Sequence, residues 1–161
     1  FGISALYHRI HWNPVQRAWM RRLDHSAIFL LIAGTSTPIS YLAIGGEKGL
    51  HFLGIVWIAA GIGILQSLFW VSAPKWVSAI LYIFVGWLVV PYASEISQTL
   101  GASGLGLLMT GGIIYSLGAI VYALKKPNPF PKVFGYHEIF HLLVVIAAIF
   151  HFLAVNRLLE S

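Results

Sequence analysis

The sequence predicts an all-α integral membrane protein, and three observations carry that class. Only 9% of the 161 residues are charged, 58% are hydrophobic, and mean hydropathy is +0.82; a water-soluble domain carries about a quarter charged residues. Apolar runs of about 20 residues, the length that crosses a hydrocarbon core, recur along the chain. The breaks between them are short and hold most of the prolines and cations. Cysteine is absent, which excludes disulfides and thiolate metal sites and leaves nitrogen and oxygen ligands.

Taken in order, residues 1–7 are a short apolar piece ending at His8. A basic stretch follows with Arg9, Arg17, Arg21 and Arg22, and Asn13-Pro14 marks a loop. Residues 24–44 are the first complete span, opened by Asp24 and closed by Gly45-Gly46. Residues 51–71 are the second, ended by Ser72-Ala73-Pro74-Lys75. The third is 76–94, with Pro91 near its end. The fourth, 103–124, is rich in glycine, as close-packed membrane helices are. Lys125-Lys126-Pro127 and two further prolines break the chain before the fifth span, 137–156. Phe1 is no initiator methionine and no signal peptide precedes the first run, so an N-terminally truncated chain is expected.

The loops set an orientation. Eight of the ten Lys and Arg fall in alternate loops: four in the first, Lys75 in the third, and Lys125, Lys126 and Lys132 in the last; only Lys48 and Arg157 lie on the other side. The positive-inside rule makes the rich side cytoplasmic and the C-terminus external. The net charge of +5 follows this topology, so no nucleic-acid partner is inferred. The expected partner is membrane lipid.

Topology also gathers chemistry. His8 lies just before the first cation-rich loop, Asp24 just after it, and His137 and His141 just after the last. Four ionisable side chains from three helices thus share one depth near the cytoplasmic leaflet, where such groups are rare unless functional. His137 and His141 are four apart and share a helix face. His151 lies 14 residues beyond His137, about 21 Å along a helix, and His51 is on the opposite side. His11 falls in the loop, and His25 points about 100° away from Asp24.

Three imidazoles with one open position suit a catalytic metal, zinc by preference, although copper, nickel and iron accept the same ligands. Zinc acidifies its water, and Asp24 is the candidate to hold that water or take its proton. A helix N-cap is the structural role that also fits Asp24. Ser4, one turn before His8, can bond a ligand or a substrate carbonyl, or its own backbone. The stretch His137-Glu138-Ile139-Phe140-His141 also fits the H-E-x-x-H protease motif with Glu138 as base. That motif needs a third ligand from downstream, and after His141 only Glu160 in the tail is a carboxylate. Pro38 and Pro91 are expected to kink helices, and Trp57, Trp70, Trp76 and Trp87 to anchor or pack them.

Ser4-Ala5-Leu6-Tyr7-His8, Asp24 ahead of Gly34-Thr35-Ser36-Thr37-Pro38, and His137-x-x-x-His141 resemble the three signature blocks of the hemolysin III family. These are bacterial members of the progestin and adipoQ receptor superfamily, which includes the adiponectin receptors. The resemblance spans essentially the whole chain. It implies a single transmembrane domain over 1–161, a bundle of seven helices around a zinc ion near the cytoplasmic face. Residues 1–8 would end helix two, the five spans would be helices three to seven, and helix one with most of helix two would be missing. It assigns zinc to His8, His137 and His141, its water to Asp24, and a serine role to Ser4. Receptor members have glutamine where this chain has Glu138, which weakens the protease reading. By the same analogy the expected activity is zinc-dependent hydrolysis of a lipid amide or ester, ceramidase-like, in the bacterial inner membrane. The alternative is a non-enzymatic membrane regulator or pore-former in which zinc is structural.

Overall fold

A computed structural model describes residues 1–131 and 133–160; Lys132, one of the loop cations above, lies outside them. Among the described residues the regular elements are helical, apart from one bridge between Phe130 and Phe134. Helix α1, Gly2–Arg9, is two turns long and has no buried residue. The link that follows is pinned by Trp12, whose indole N–H donates to the Leu6 carbonyl at 3.1 Å.

Helix α2, Pro14–Pro38, starts where its cap starts. Asn13 Oδ1 accepts from the Gln16 N–H at 2.9 Å, Gln16 Oε1 accepts in return from the Asn13 N–H at 3.4 Å, and Pro14 supplies a preset first turn. Asp24 is therefore interior to a helix and caps nothing, which corrects one of the roles the sequence allows it. Apolar counting finds where hydrocarbon begins, whereas the helix begins ten residues earlier, on turns that carry Arg17, Arg21 and Arg22.

At its far end Pro38 has no N–H to give. Thr35, Ser36 and Thr37 each turn a hydroxyl onto the carbonyl four residues back, at 2.8, 2.9 and 2.8 Å. Such back-bonding satisfies the hydroxyls in an apolar setting and eases a bend. The chain continues as a wide π-helical turn, Ile39–Ile44, and stops at Gly45 with φ +67°.

Helix α3, Gly46–Phe69, returns against α2. A methyl group on Gly63 would collide with the Phe29 ring, so this glycine admits a fully buried aromatic. Phe29 joins Ala33, Phe52, Val56, Ala60, Tyr82 and Val85 in a core shared by α2, α3 and α4.

The next apolar stretch, Lys75–Leu124, is 50 residues long and doubles back on itself. It consists of α4, Lys75–Trp87, a 3-10 turn around Pro91, and α5, Ala93–Leu124, broken by Gly101 at φ +70° and ψ 173°. The reversal brings Lys75 Nζ to 4.2 Å from the Tyr122 ring centroid, and the Trp87 indole donates to Ser116 Oγ at 2.8 Å. Two antiparallel arms result, 75–100 and 102–124. Helix α6, Tyr136–Glu160, lies along α5. A second core of Ile39, Ala43, Ile96, Leu108, Ala154 and Leu158 closes the other end.

Among the described residues, four helical stretches are long and apolar enough to cross a membrane. Their outward faces expose Ile58, Ile62 and Leu65 on α3, Phe84 on α4, and Ile149 and Phe152 on α6, the surface that lipid rather than water would cover. One end of the bundle carries Lys75, with Tyr122 and Tyr136 around it. The opposite end joins Lys48 to Glu95, Thr99 to the Ala43 carbonyl, and Arg157 to Ser103.

Candidate metal centre

His8, His137 and His141 converge at the Lys75 end. His8 is the next-to-last residue of α1; His137 and His141 stand one turn apart at the start of α6. His137 Nε2 lies 3.2 Å from His8 Nε2 and 3.1 Å from His141 Nε2, and all three ligand nitrogens fall within 4.8 Å of one another. Ring centroids are 4.6 to 5.4 Å apart. Hydrogen bonding cannot satisfy this cluster. An imidazole Nε2 carries either one hydrogen or one lone pair, so His137 Nε2 can bond one neighbour and not both.

A shared cation would resolve the conflict by taking all the lone pairs at once. Zinc–imidazole bonds of about 2.0–2.1 Å set adjacent nitrogens about 3.3–3.4 Å apart in a tetrahedron. The two close separations, 3.2 and 3.1 Å, fall within about 0.3 Å of that edge. The residues present therefore fit a divalent ion with nitrogen preference.

Asp24 approaches from α2. Its Oδ2 lies 4.0 Å from His8 Nε2, beyond hydrogen-bonding distance, and its side chain is 13% exposed. Ser4, half-buried one turn before His8, makes no hydrogen bond among the described residues. Glu138 is engaged elsewhere: its Oε2 accepts from the Gly135 N–H at 2.8 Å and caps α6.

The remaining histidines stay apart from the trio. His25 faces Tyr122, with 3.5 Å between Nε2 and the phenol oxygen. His11 is exposed in the link after α1, and His51 is exposed near the start of α3 at the opposite end. His151 bonds the Leu108 carbonyl at 3.1 Å.

Two features are not readable from sequence spacing. Lys75 Nζ donates to Tyr136 Oη at 2.9 Å and sits over the Tyr122 and Tyr136 rings, both of which lie beside His137. These residues come from three helices, and only a lysine following Pro74 and an aromatic preceding His137 hint at them. The second feature is a mostly apolar cavity of about 100 Å³ enclosed by α2, α4, α5 and α6. Phe140, which packs on His141 with ring centroids 5.2 Å apart, lines it nearest the trio. His151 lines it ten residues beyond His141 along α6, roughly 15 Å away.

The sequence model of a family described as Haemolysin-III related matches residues 1–152. Hemolysin-3 of Bacillus cereus is 39% identical over 142 residues, 88% of this chain and 62% of that protein. A Hemolysin-3 homolog of Bacillus subtilis is 38% identical over 142 residues, covering 88% and 63%. The adiponectin receptor protein of Drosophila melanogaster is 29% identical over 174 residues, 98% of this chain and 39% of the receptor. The chain thus spans less than two thirds of the length of these curated relatives. No solved structure matches it.

Proposed function

Since the chain belongs to the haemolysin-III related family and is a multi-pass membrane protein, we propose that it holds a zinc ion through His8, His137 and His141 and hydrolyses an amide or ester bond in a lipid. The observation that carries this reading is the convergence of three Nε2 atoms that hydrogen bonds cannot satisfy.

Zinc in a site of this kind acidifies a water and polarises a carbonyl. The chain's own residues supply the rest. Asp24 stands 4.0 Å from His8 Nε2, a gap suited to a water that its carboxylate can orient and deprotonate. It reaches that position because α2 runs straight past the trio. Ser4 offers a hydroxyl on the His8 face of α1, able to donate to a substrate carbonyl. Phe140 both lines the apolar cavity and packs on His141, so a lipid chain seated there would bring its linkage toward the histidines. Glu138, committed to capping α6, takes no part.

The centre is assigned to the cytoplasmic side of a bacterial inner membrane, with the C-terminus outside, on the distribution of Lys and Arg. A second reading has its own support. Because α1 buries no residue, zinc could serve as a clamp holding α1 to α6 in a regulator or pore-former, a role in keeping with the name of the Bacillus relatives. Elemental analysis of protein purified without added metal, together with a panel of lipid amides and esters, separates the readings. The hydrolase predicts stoichiometric zinc and turnover, and the clamp predicts zinc without turnover. Stoichiometric zinc in both His137→Ala and His141→Ala would refute the site itself.

A further inference from the structure

The cavity carries information that the metal centre does not. Trp87 donates to Ser116 Oγ at 2.8 Å, and Ser116 donates to the Gly112 carbonyl at 2.8 Å, so this pair is spent. Thr35 and Ser36 also line the cavity, and their hydrogens go to their own helix, which leaves only acceptor lone pairs.

Two lining residues remain open. Tyr115 makes no hydrogen bond among the described residues, and its ring stands edge-on to His151, centroids 5.3 Å apart. His151 is fixed in position and tautomer. A carbonyl only accepts, so Nε2, 3.1 Å from the Leu108 oxygen, carries the hydrogen and Nδ1 is the lone pair. The Cδ2–Nε2 edge is pressed onto Gly111, where even a methyl group would collide with it, so Nδ1 is the ring nitrogen without a partner on a side chain that lines the cavity.

Mostly apolar walls thus hold one free donor, the Tyr115 hydroxyl, and on a ring whose centroid lies 5.3 Å from that of Tyr115 the imidazole acceptor His151 Nδ1, besides the hydroxyl lone pairs of Thr35 and Ser36. No cation or carboxylate lines the space. A plain hydrocarbon would leave both groups unpaired in a dry site, at a cost, and a charged group would have no counter-ion. A hydroxyl accepts and donates at once, and satisfies both. We propose that Tyr115 and His151 form a subsite that selects lipid chains bearing a hydroxyl partway along their length, roughly 15 Å from the trio. This deepens the lipid-hydrolase reading, since it names the class of chain the enzyme would accept.

Binding can be tested without turnover. The probes are a saturated eighteen-carbon fatty acid and its mid-chain hydroxy derivative, titrated into the full chain in detergent and followed by the change in intrinsic tryptophan fluorescence, to which Trp87 in the cavity wall contributes. The hydroxylated chain should bind about 5- to 100-fold tighter, the worth of two net hydrogen bonds. Tyr115→Phe keeps the ring against His151 and removes one of the two bonds, so it should cut that preference to about 2- to 10-fold and tighten binding of the plain chain, which then leaves one group fewer unpaired. His151→Gln retains a donor and an acceptor and should retain part of the preference. Equal affinities in the wild type, no binding of either probe, or a preference undiminished in Tyr115→Phe would each overturn the subsite. Loss of zinc or absence of turnover would overturn the proposed reaction and leave these affinities as they are, so the two failures are distinct.

Discussion

Asp24 stands 4.0 Å from the nearest imidazole nitrogen, too far to bond it and near enough to share a water with it. Exchange to asparagine removes the basic oxygen and preserves the shape. Asp24→Asn should therefore keep full zinc content and lose about 100- to 10,000-fold in lipid hydrolysis, the range typical of a general base. His8→Ala should instead lose the metal, read by elemental analysis of the same preparations. Glu138→Gln should leave turnover nearly unchanged, because its carboxylate caps α6 through Gly135; abolished turnover would restore the protease assignment. The trio was legible in the sequence for a physical reason. Histidines are conspicuous in apolar runs, and loop charge gives their depth independently of any fold. Tyr115, Tyr122 and Lys75 were not legible. In lipid both faces of a helix are apolar, so an aromatic that lines a site looks like one that faces hydrocarbon.

At the scale of elements, packing depends on a few close approaches. Gly63 admits the Phe29 ring, while Gly61 on the same helix has nothing within 4 Å of where its side chain would be. Gly63→Ala should lower stability by about 1–3 kcal/mol through overpacking, read as thermal unfolding in detergent. Gly61→Ala should be neutral or stabilising by up to about 1 kcal/mol, since alanine is the better helix former. Helix limits were less legible than helix existence. Hydropathy gives the start of hydrocarbon at Asp24, whereas the Asn13–Gln16 cap sets the start of the helix. The π-helical turn after Pro38 follows from a missing N–H, yet its length, Ile39–Ile44, depends on α3 packing against it through Ser40 and the Gly49 carbonyl.

For the whole molecule, the separation of cations is the feature with the widest reach. Lys75 sits at the metal end, and Lys48 and Arg157 are tied down at the other. Reporter fusions in the 125–135 loop and at the C-terminus should fall on opposite sides of the membrane, the loop inside. If both report one side, α6 does not cross and the depth shared by His8 and His137 has no basis. Membrane class and helical architecture were legible from composition alone. The cavity was not, since it needs four helices in register and no local pattern encodes that register.

The bond from His8 to His137 spans 129 residues of sequence. A metal held there would act as a cross-link in a chain that has no cysteine. Closing so long a loop removes freedom from the unfolded chain, worth up to about 5 kcal/mol on the chain-entropy account used for disulfides. Unlike a disulfide, the link is reversible and independent of redox poise, and its strength scales with free metal. Chelation should then lower the unfolding temperature of the wild type and leave that of His8→Ala unmoved. In a cell, metal supply would set how firmly the first helix stays docked.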